Sequence, residues 1–262
     1  MWHNPICNRI ASGGKIVNGW CSLPSAGVVE VLARQGYDSL TIDMQHGGMG
    51  FETVVDMLRA MAGSPVAPLV RVPWHDPGTM MRVLDAGAFG IICPMVDSAA
   101  SAEAFVAACR YPPRGFRSFG PHRAVIATGT ASSAEYVRSA AADIMLLAMI
   151  ETTSGLAAVE DIVAVDGLDG VYVGPGDLSL ALGEVPSMAP TATVVTEAIA
   201  LVLAAAKKAG RIVAIHTDGP ATARRCFAAG FDMCTLQGDI RLLSDAARSQ
   251  VLAVRAAGEP YT

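Results

Sequence analysis

Two acidic residues carry the strongest chemical signal in this 262-residue chain. Glu151 follows the apolar run 144–150, and Asp177 closes Gly174-Pro175-Gly176-Asp177 after the run 170–174. If these runs are neighbouring parallel strands, both carboxylates reach one place and repel unless a cation sits between them. With two protein oxygens and no His or Cys triad, the expected cation is hard and mostly hydrated, Mg²⁺ or Mn²⁺ rather than structural Zn²⁺. The alternative is local: Glu151 caps the following helix and Asp177 makes a turn with Ser179.

A second group surrounds Asp43-Met44-Gln45-His46-Gly47-Gly48. His46 follows Asp43 by three positions in a glycine-flanked loop, a spacing that lets the carboxylate orient the imidazole and raise its basicity, as suits a general base. Arg71, near the end of the run 67–72, offers a planar donor fork to a carboxylate or a developing oxyanion, or else pairs with Asp43. His216 and Gln237 end two further runs and read as structural. The only lysines are Lys15, Lys207 and Lys208, at the start of a strand-like run and the end of a helix-like stretch, and with none at the end of a strand-like run a Schiff-base lysine is excluded. Thr217-Asp218-Gly219-Pro220 and Gln237-Gly238-Asp239 make a poor phosphate cradle, with two carboxylates and a missing proline amide.

The elements that must position these groups alternate regularly. Strand-like runs at 15–23, 39–42, 67–72, 90–96, 144–150, 170–174, 212–217 and 231–236 are followed by helix-like stretches at 26–35, 51–62, 77–86, 98–110, 154–164, 194–209, 220–229 and 240–257. Eight βα units predict an α/β fold, a TIM (β/α)8 barrel forming a single domain over 1–262, with a doubly wound sheet as runner-up. In such a barrel the polar strand ends share one mouth. Ser98, Asp76 and Thr153 or Ser154 are the expected helix caps, and Gly36, Gly63, Gly87, Gly210 and Gly230 follow helical runs. The segment 111–143 reads as an insertion with a helical stretch at 131–142.

Composition narrows the classes. Hydrophobic residues make up 52% and charged residues 16%, enough for a large core and too little polarity for disorder. A net charge of −5, with no basic run longer than a pair, removes the footprint of a nucleic-acid binder. The longest apolar stretch, 198–206, is too short to span a bilayer. Met1-Trp2-His3-Asn4-Pro5 shows no cationic segment followed by an apolar run, so a cytoplasmic location is expected. The six cysteines include no C-x-x-C pair and read as buried reduced thiols.

Five motifs in order, Asp43-Met44-Gln45-His46-Gly47, Arg71-Val72-Pro73, Tyr111-Pro112-Pro113-Arg114-Gly115-Phe116-Arg117-Ser118, Ile150-Glu151-Thr152 and Gly174-Pro175-Gly176-Asp177-Leu178-Ser179, resemble the HpcH/HpaI aldolase family, the metal-dependent class II 2-oxo-acid aldolases. The resemblance extends from about residue 19 to residue 244. It implies a TIM barrel using Mg²⁺, Mn²⁺ or Co²⁺ and reversible cleavage of 4-hydroxy-2-oxo acids to pyruvate, or a pyruvate-like acid such as hydroxypyruvate, and an aldehyde. It also implies a homo-oligomer, a hexamer built as a trimer of dimers, with the last helix exchanged between subunits. By the same resemblance Glu151 and Asp177 bind metal, Gly176 lends the substrate a backbone amide, His46 is the base and Arg71 stabilises the enolate. Trp20 counts among the substrate contacts. Asp85 matches a position that raises the basicity of the catalytic His from a neighbouring subunit; it stands at the far end of its helix and can act only across an interface.

Two departures stand out. Gln45 replaces a frequent Glu, and Met149 replaces a Gln two residues before the metal-binding Glu, exchanging a polar substrate contact for a thioether. The competing readings are a CoA-ester lyase or 2-oxo-acid decarboxylase on the same barrel, and a non-catalytic 2-oxo-acid-binding protein. No basic cluster suited to a CoA phosphate is visible.

Overall fold

The computed structural model describes residues 2–256. Eight short apolar strands, β1 (Ile16–Cys21), β2 (Ser39–Asp43), β3 (Ala67–Arg71), β4 (Gly90–Cys93), β5 (Met145–Ile150), β6 (Gly170–Val173), β7 (Ile212–His216) and β8 (Met233–Gly238), pair in chain order. Every pairing is parallel, and β1 meets β8, so the sheet closes. Closure confirms the TIM barrel and removes the doubly wound alternative, whose sheet has two free edges.

The helices are α1 (Pro5–Ala11), α2 (Ala26–Leu32), α3 (Phe51–Ala60), α4 (Pro77–Asp85), α5 (Ala99–Cys109), α6 (His122–Thr128), α7 (Ser133–Asp143), α8 (Thr153–Ala157), α9 (Val159–Ala164), α10 (Pro175–Ala181), α11 (Thr193–Lys208), α12 (Pro220–Ala229) and α13 (Asp239–Ala256). Most follow the expected stretches, with four differences. The stretch 154–164 divides into α8 and α9, and the cap is Thr152, whose hydroxyl accepts from the Gly155 amide at 2.9 Å, rather than Thr153 or Ser154. The segment 111–143 carries α6 as well as the expected helix, here α7. Short helices α1 and α10 were not anticipated. Residue 257, the expected end of the last helix, lies outside the described residues.

Ser98 and Asp76 cap α5 and α4 as their spacing predicts. All five expected terminating glycines are left-handed, from φ +67° at Gly210 to +116° at Gly230, a conformation that costs glycine little.

Inside the barrel a polar layer replaces part of the apolar filling. The Asn18 amide donates to Thr41 Oγ1 at 3.0 Å and Thr235 Oγ1 at 2.8 Å, and its oxygen accepts from Ser39 at 2.7 Å. Tyr172 donates to Thr235 at 2.6 Å. With each group partnered, the layer avoids the penalty of an unsatisfied buried polar atom and forms a rigid floor beneath the mouth. All six cysteines are free, and burial pushes the Cys7 and Cys109 thiols up to about 12. No helix among the described residues is long and apolar enough to cross a membrane.

Candidate active site

Register brings the first pair together. Asp43 and Arg71 are the last residues of neighbouring strands and stand opposite one another. Arg71 Nε donates to Asp43 Oδ1 at 2.8 Å and Nη2 donates to Oδ2 at 2.6 Å, a bidentate fork that is almost fully buried. Trp20 Nε1–H donates to Oδ2 at 3.2 Å, and the backbone amides of Gln45 and His46 donate to Oδ1 at 3.0 and 3.3 Å. Burial alone would raise the Asp43 pKa, but the bonds and charge of Arg71 hold it below the ordinary carboxylate range.

One expectation changes here, and for Arg71 the alternative reading is realised. Asp43 reaches His46 through the backbone amide and not the imidazole, because its oxygens are already committed to Arg71, Trp20 and the turn amides. The His46 side chain is exposed, and its ring makes no hydrogen bond among the described residues. Arg71 does pair with Asp43, yet Nη1 remains outside the fork with only the Met149 thioether at 4.0 Å. That edge is available to an incoming oxygen.

Glu151 and Asp177 follow neighbouring strands as predicted. Glu151 is 2% exposed, while Asp177 is exposed in the first turn of α10. The Met95 amide donates to Glu151 Oε1 at 2.8 Å. Oε2 points toward Gly174, where an added methyl group would fall 2.6 Å from it, so glycine there makes room for the carboxylate. Burial pushes the Glu151 pKa up to about 7; the Met95 bond opposes this, the Asp177 charge adds to it and the Arg71 charge opposes it.

A folded-state pKa of about 7, above the ordinary 4.5, means the metal-free fold holds a proton that the unfolded chain gives up. This contribution to stability is therefore fully present below pH about 4.5 and is lost as pH rises through about 7, at most on the order of 3 kcal/mol. Denaturant unfolding in chelator at pH 5 and pH 8 should show the decline. The Glu151→Gln variant should flatten it, and equal slopes in both proteins would remove Glu151 as its source.

Among the described residues no group of three or more His, Cys, Asp or Glu side chains is placed to hold a metal ion. The acidic pair stands alone. Gly176 is buried in the first turn of α10, where helical geometry leaves amides without intrahelical partners.

Trp20 makes further contacts: besides bonding Asp43, its ring lies 4.8 Å from the Arg71 guanidinium carbon and meets His216 edge-on at 5.0 Å. His216 is kept neutral near neutral pH, its pKa pushed down to about 4 by burial and the Arg71 charge. With Gln237 it lines a cavity of about 320 Å³ at the ends of β7 and β8. Gln45 Oε1 is buried with no hydrogen-bond partner among the described residues.

Asp85 is not at the mouth. At the C-terminal end of α4 it pairs with Arg117 Nη2 at 2.6 Å. Arg117 is wholly buried, 4.5 Å from the Tyr111 ring and 5.6 Å from the Tyr136 ring. Sequence reasoning missed this pairing although Arg117 stands in the quoted Tyr111–Ser118 motif. It also missed Met95, for which no sequence signal exists: its role depends on a backbone turn at φ +54°.

A closed parallel barrel with a carboxylate pair and an Asp-clamped arginine at its C-terminal mouth defines a (β/α)8 enzyme scaffold. The chain belongs to the HpcH/HpaI aldolase/citrate lyase family, whose profile matches residues 18–246. It is 42% identical over 244 residues to a hydroxypyruvate/pyruvate aldolase of Rhizorhabdus wittichii, covering 93% of this chain and 96% of the relative. It is 39% identical over 225 residues to a 4-hydroxy-2-oxovalerate aldolase of Novosphingobium aromaticivorans, covering 82% and 84%. Among solved structures, an HpcH/HpaI aldolase/citrate lyase family protein from Burkholderia cenocepacia superposes with a TM-score of 0.87 at 33% identity, covering 96% of this chain and 99% of that one. The protein is thus an enzyme of the aldolase and lyase type.

Proposed function

We propose that this chain is a divalent-metal-dependent aldolase that reversibly cleaves 4-hydroxy-2-oxo acids to pyruvate, or a pyruvate-like acid such as hydroxypyruvate, and an aldehyde. The observation that carries the reading is the Glu151–Asp177 pair beside Arg71 at one mouth. Glu151 spends Oε1 on the Met95 amide, which leaves Oε2 and the Asp177 carboxylate without hydrogen-bond partners among the described residues. Two free anionic oxygen donors suit Mg²⁺ or Mn²⁺, with Co²⁺ tolerated, the remaining positions going to water and substrate. When bound, such a cation supplies Lewis-acid polarisation of the 2-keto group.

The chain's own residues do the rest. The Gly176 amide binds the 2-oxo-acid carboxylate at the positive end of α10. His46 removes the C4 hydroxyl proton as the C3–C4 bond breaks; that electron pair passes into the enolate, and the C4 carbonyl leaves as the aldehyde. Arg71, held by Asp43 and Trp20 with Nη1 left outside the fork, stabilises the enolate oxygen. Names of the relatives support pyruvate or hydroxypyruvate as donor. The convergence of acid pair, arginine and histidine on one mouth favours catalysis over passive 2-oxo-acid binding.

Outside the site, α13 exposes Ile240, Leu243, Val251 and Val254 along one side, an apolar face that supports exchange of this helix in a trimer of dimers. Asp85 then serves a neighbour's His46 only where an interface brings it there. A cytoplasmic, single-domain enzyme with its insertion at 111–143 completes the reading.

The test is pyruvate release from a panel of 4-hydroxy-2-oxo acids with and without chelator. Release that chelator abolishes and Mn²⁺ restores is expected, whereas release unaffected by chelator, or none from any acid, overturns the proposal. Arg71→Lys should lose about 2 to 4 kcal/mol of transition-state stabilisation, because a point charge cannot both fork onto Asp43 and face the substrate. Near-normal kcat/KM in that variant would leave Arg71 only its pairing with Asp43.

A further inference from the structure

Met95 is the one non-glycine residue at positive φ among the described residues, +54°, and it lies just beyond β4 in the loop facing Glu151. A residue with a side chain holds that conformation only where its surroundings enforce it. The enforcement comes from both sides of a single peptide group. On one side the Met95 N–H donates to Glu151 Oε1 at 2.8 Å. On the other, the Pro94 carbonyl of the same peptide accepts from His75 Nε2 at 2.6 Å. A carbonyl can only accept, so Nε2 carries the proton. The result is one unbroken chain, from imidazole N–H through the peptide to the carboxylate.

Hydrogen bonds at the two ends of a peptide polarise it in the same sense, so the imidazole makes the Met95 amide a better donor to Glu151. His75 is well placed to hold it. Its half-buried ring lies 5.5 Å from the Trp74 ring, and the next residue, Asp76, is the N-cap of α4 and accepts from the Thr79 amide. Beyond the peptide, the Val96 amide donates to the Met149 carbonyl at 3.2 Å, fixing the other end of the turn to β5. The loop is therefore clamped at both ends, and its one aimed donor meets the carboxylate oxygen that the cation does not need.

We propose that His75 is a positioning residue for Glu151: through the Pro94–Met95 peptide it holds Oε1 so that Oε2 stays turned toward the cation site, and it thereby sets the cation affinity of the acidic pair. The inference rests on the reading that Glu151 and Asp177 hold a divalent cation. His75 touches no reacting atom.

Two variants of the full chain separate donor from ring. His75→Phe keeps an aromatic ring beside Trp74 and removes the donor; His75→Gln removes the ring and keeps an N–H. The readout is the Mn²⁺ dissociation constant, from electron paramagnetic resonance of free Mn²⁺, together with the unfolding temperature in chelator. His75→Phe should bind Mn²⁺ about 10 to 100-fold more weakly, the range typical for losing an outer partner of a metal ligand, while His75→Gln stays within about threefold of the parent. Unfolding in chelator should not follow this order. Unchanged binding in His75→Phe, or equal weakening in both variants, would make His75 a packing residue and overturn the proposal while leaving the cation reading intact. No Mn²⁺ binding by the parent chain would overturn both.

Discussion

Glu151→Gln is expected to leave the barrel folded and turnover lower by on the order of 10³-fold or more, about 4 kcal/mol in the barrier. The amide is nearly isosteric and can still accept from Met95, so the loop keeps its anchor. What disappears is the charge: a neutral amide beside Asp177 halves the anionic field available to a divalent cation. Removing a buried group that resists ionisation also relieves the fold, so the variant should melt no lower than the parent in chelator at pH 8. Asp177→Asn should lose turnover similarly, though its exposed side chain contributes less to metal-free stability. Mn²⁺ titration, melting and pyruvate release decide the point, and a Glu151→Gln enzyme with parental turnover would sink the metal assignment.

His46→Ala should divide two reactions that share an enolate. A general base contributes roughly 10² to 10⁴-fold, so cleavage of a 4-hydroxy-2-oxo acid should fall by about that factor with metal and 2-oxo-acid binding retained. Oxaloacetate decarboxylation needs no hydroxyl proton removed and should keep a larger share of its rate. The structure sharpens the test, because the imidazole is exposed and Asp43 does not hold it. A preorganising partner for this ring must come from substrate or a neighbouring subunit. Equal loss of both reactions would indicate a collapsed site, and loss of neither would reduce His46 to a loop residue.

The fold was legible because its signal is repeated: eight apolar runs with polar ends need only their order to predict a closed barrel, and the terminating glycines adopt the left-handed turns their positions suggest. Glu151 and Asp177 were legible for the same reason, since neighbouring strands deliver their ends to one place. The fate of Asp43 was legible only in part, because the sequence offered its pairing with Arg71 as one of two readings. Its spacing to His46 fits a carboxylate–imidazole pair, but the strand register supplies a guanidinium, and a bidentate charged fork outweighs a single bond to a flexible ring. Short helices such as α1 and α10 escaped because one or two turns carry too little periodicity, and α10 begins in a glycine-proline stretch that reads as loop. The turn at Met95 could not be read at all: positive φ in a methionine is imposed by partners distant in sequence.

Gly174 has a consequence for how this sequence can drift. The space a methyl group would occupy is already filled by the Glu151 carboxylate, so Gly174 is not free to change while glutamate stands at 151. A lineage that keeps glutamate must keep glycine, and alanine becomes tolerable only after the acid has shortened, as in Glu151→Asp followed by Gly174→Ala. The reverse order passes through a crowded, disabled intermediate. Such sign epistasis fixes the order of the two changes, and random mutagenesis should recover alanine at 174 only in clones that already carry the shorter acid.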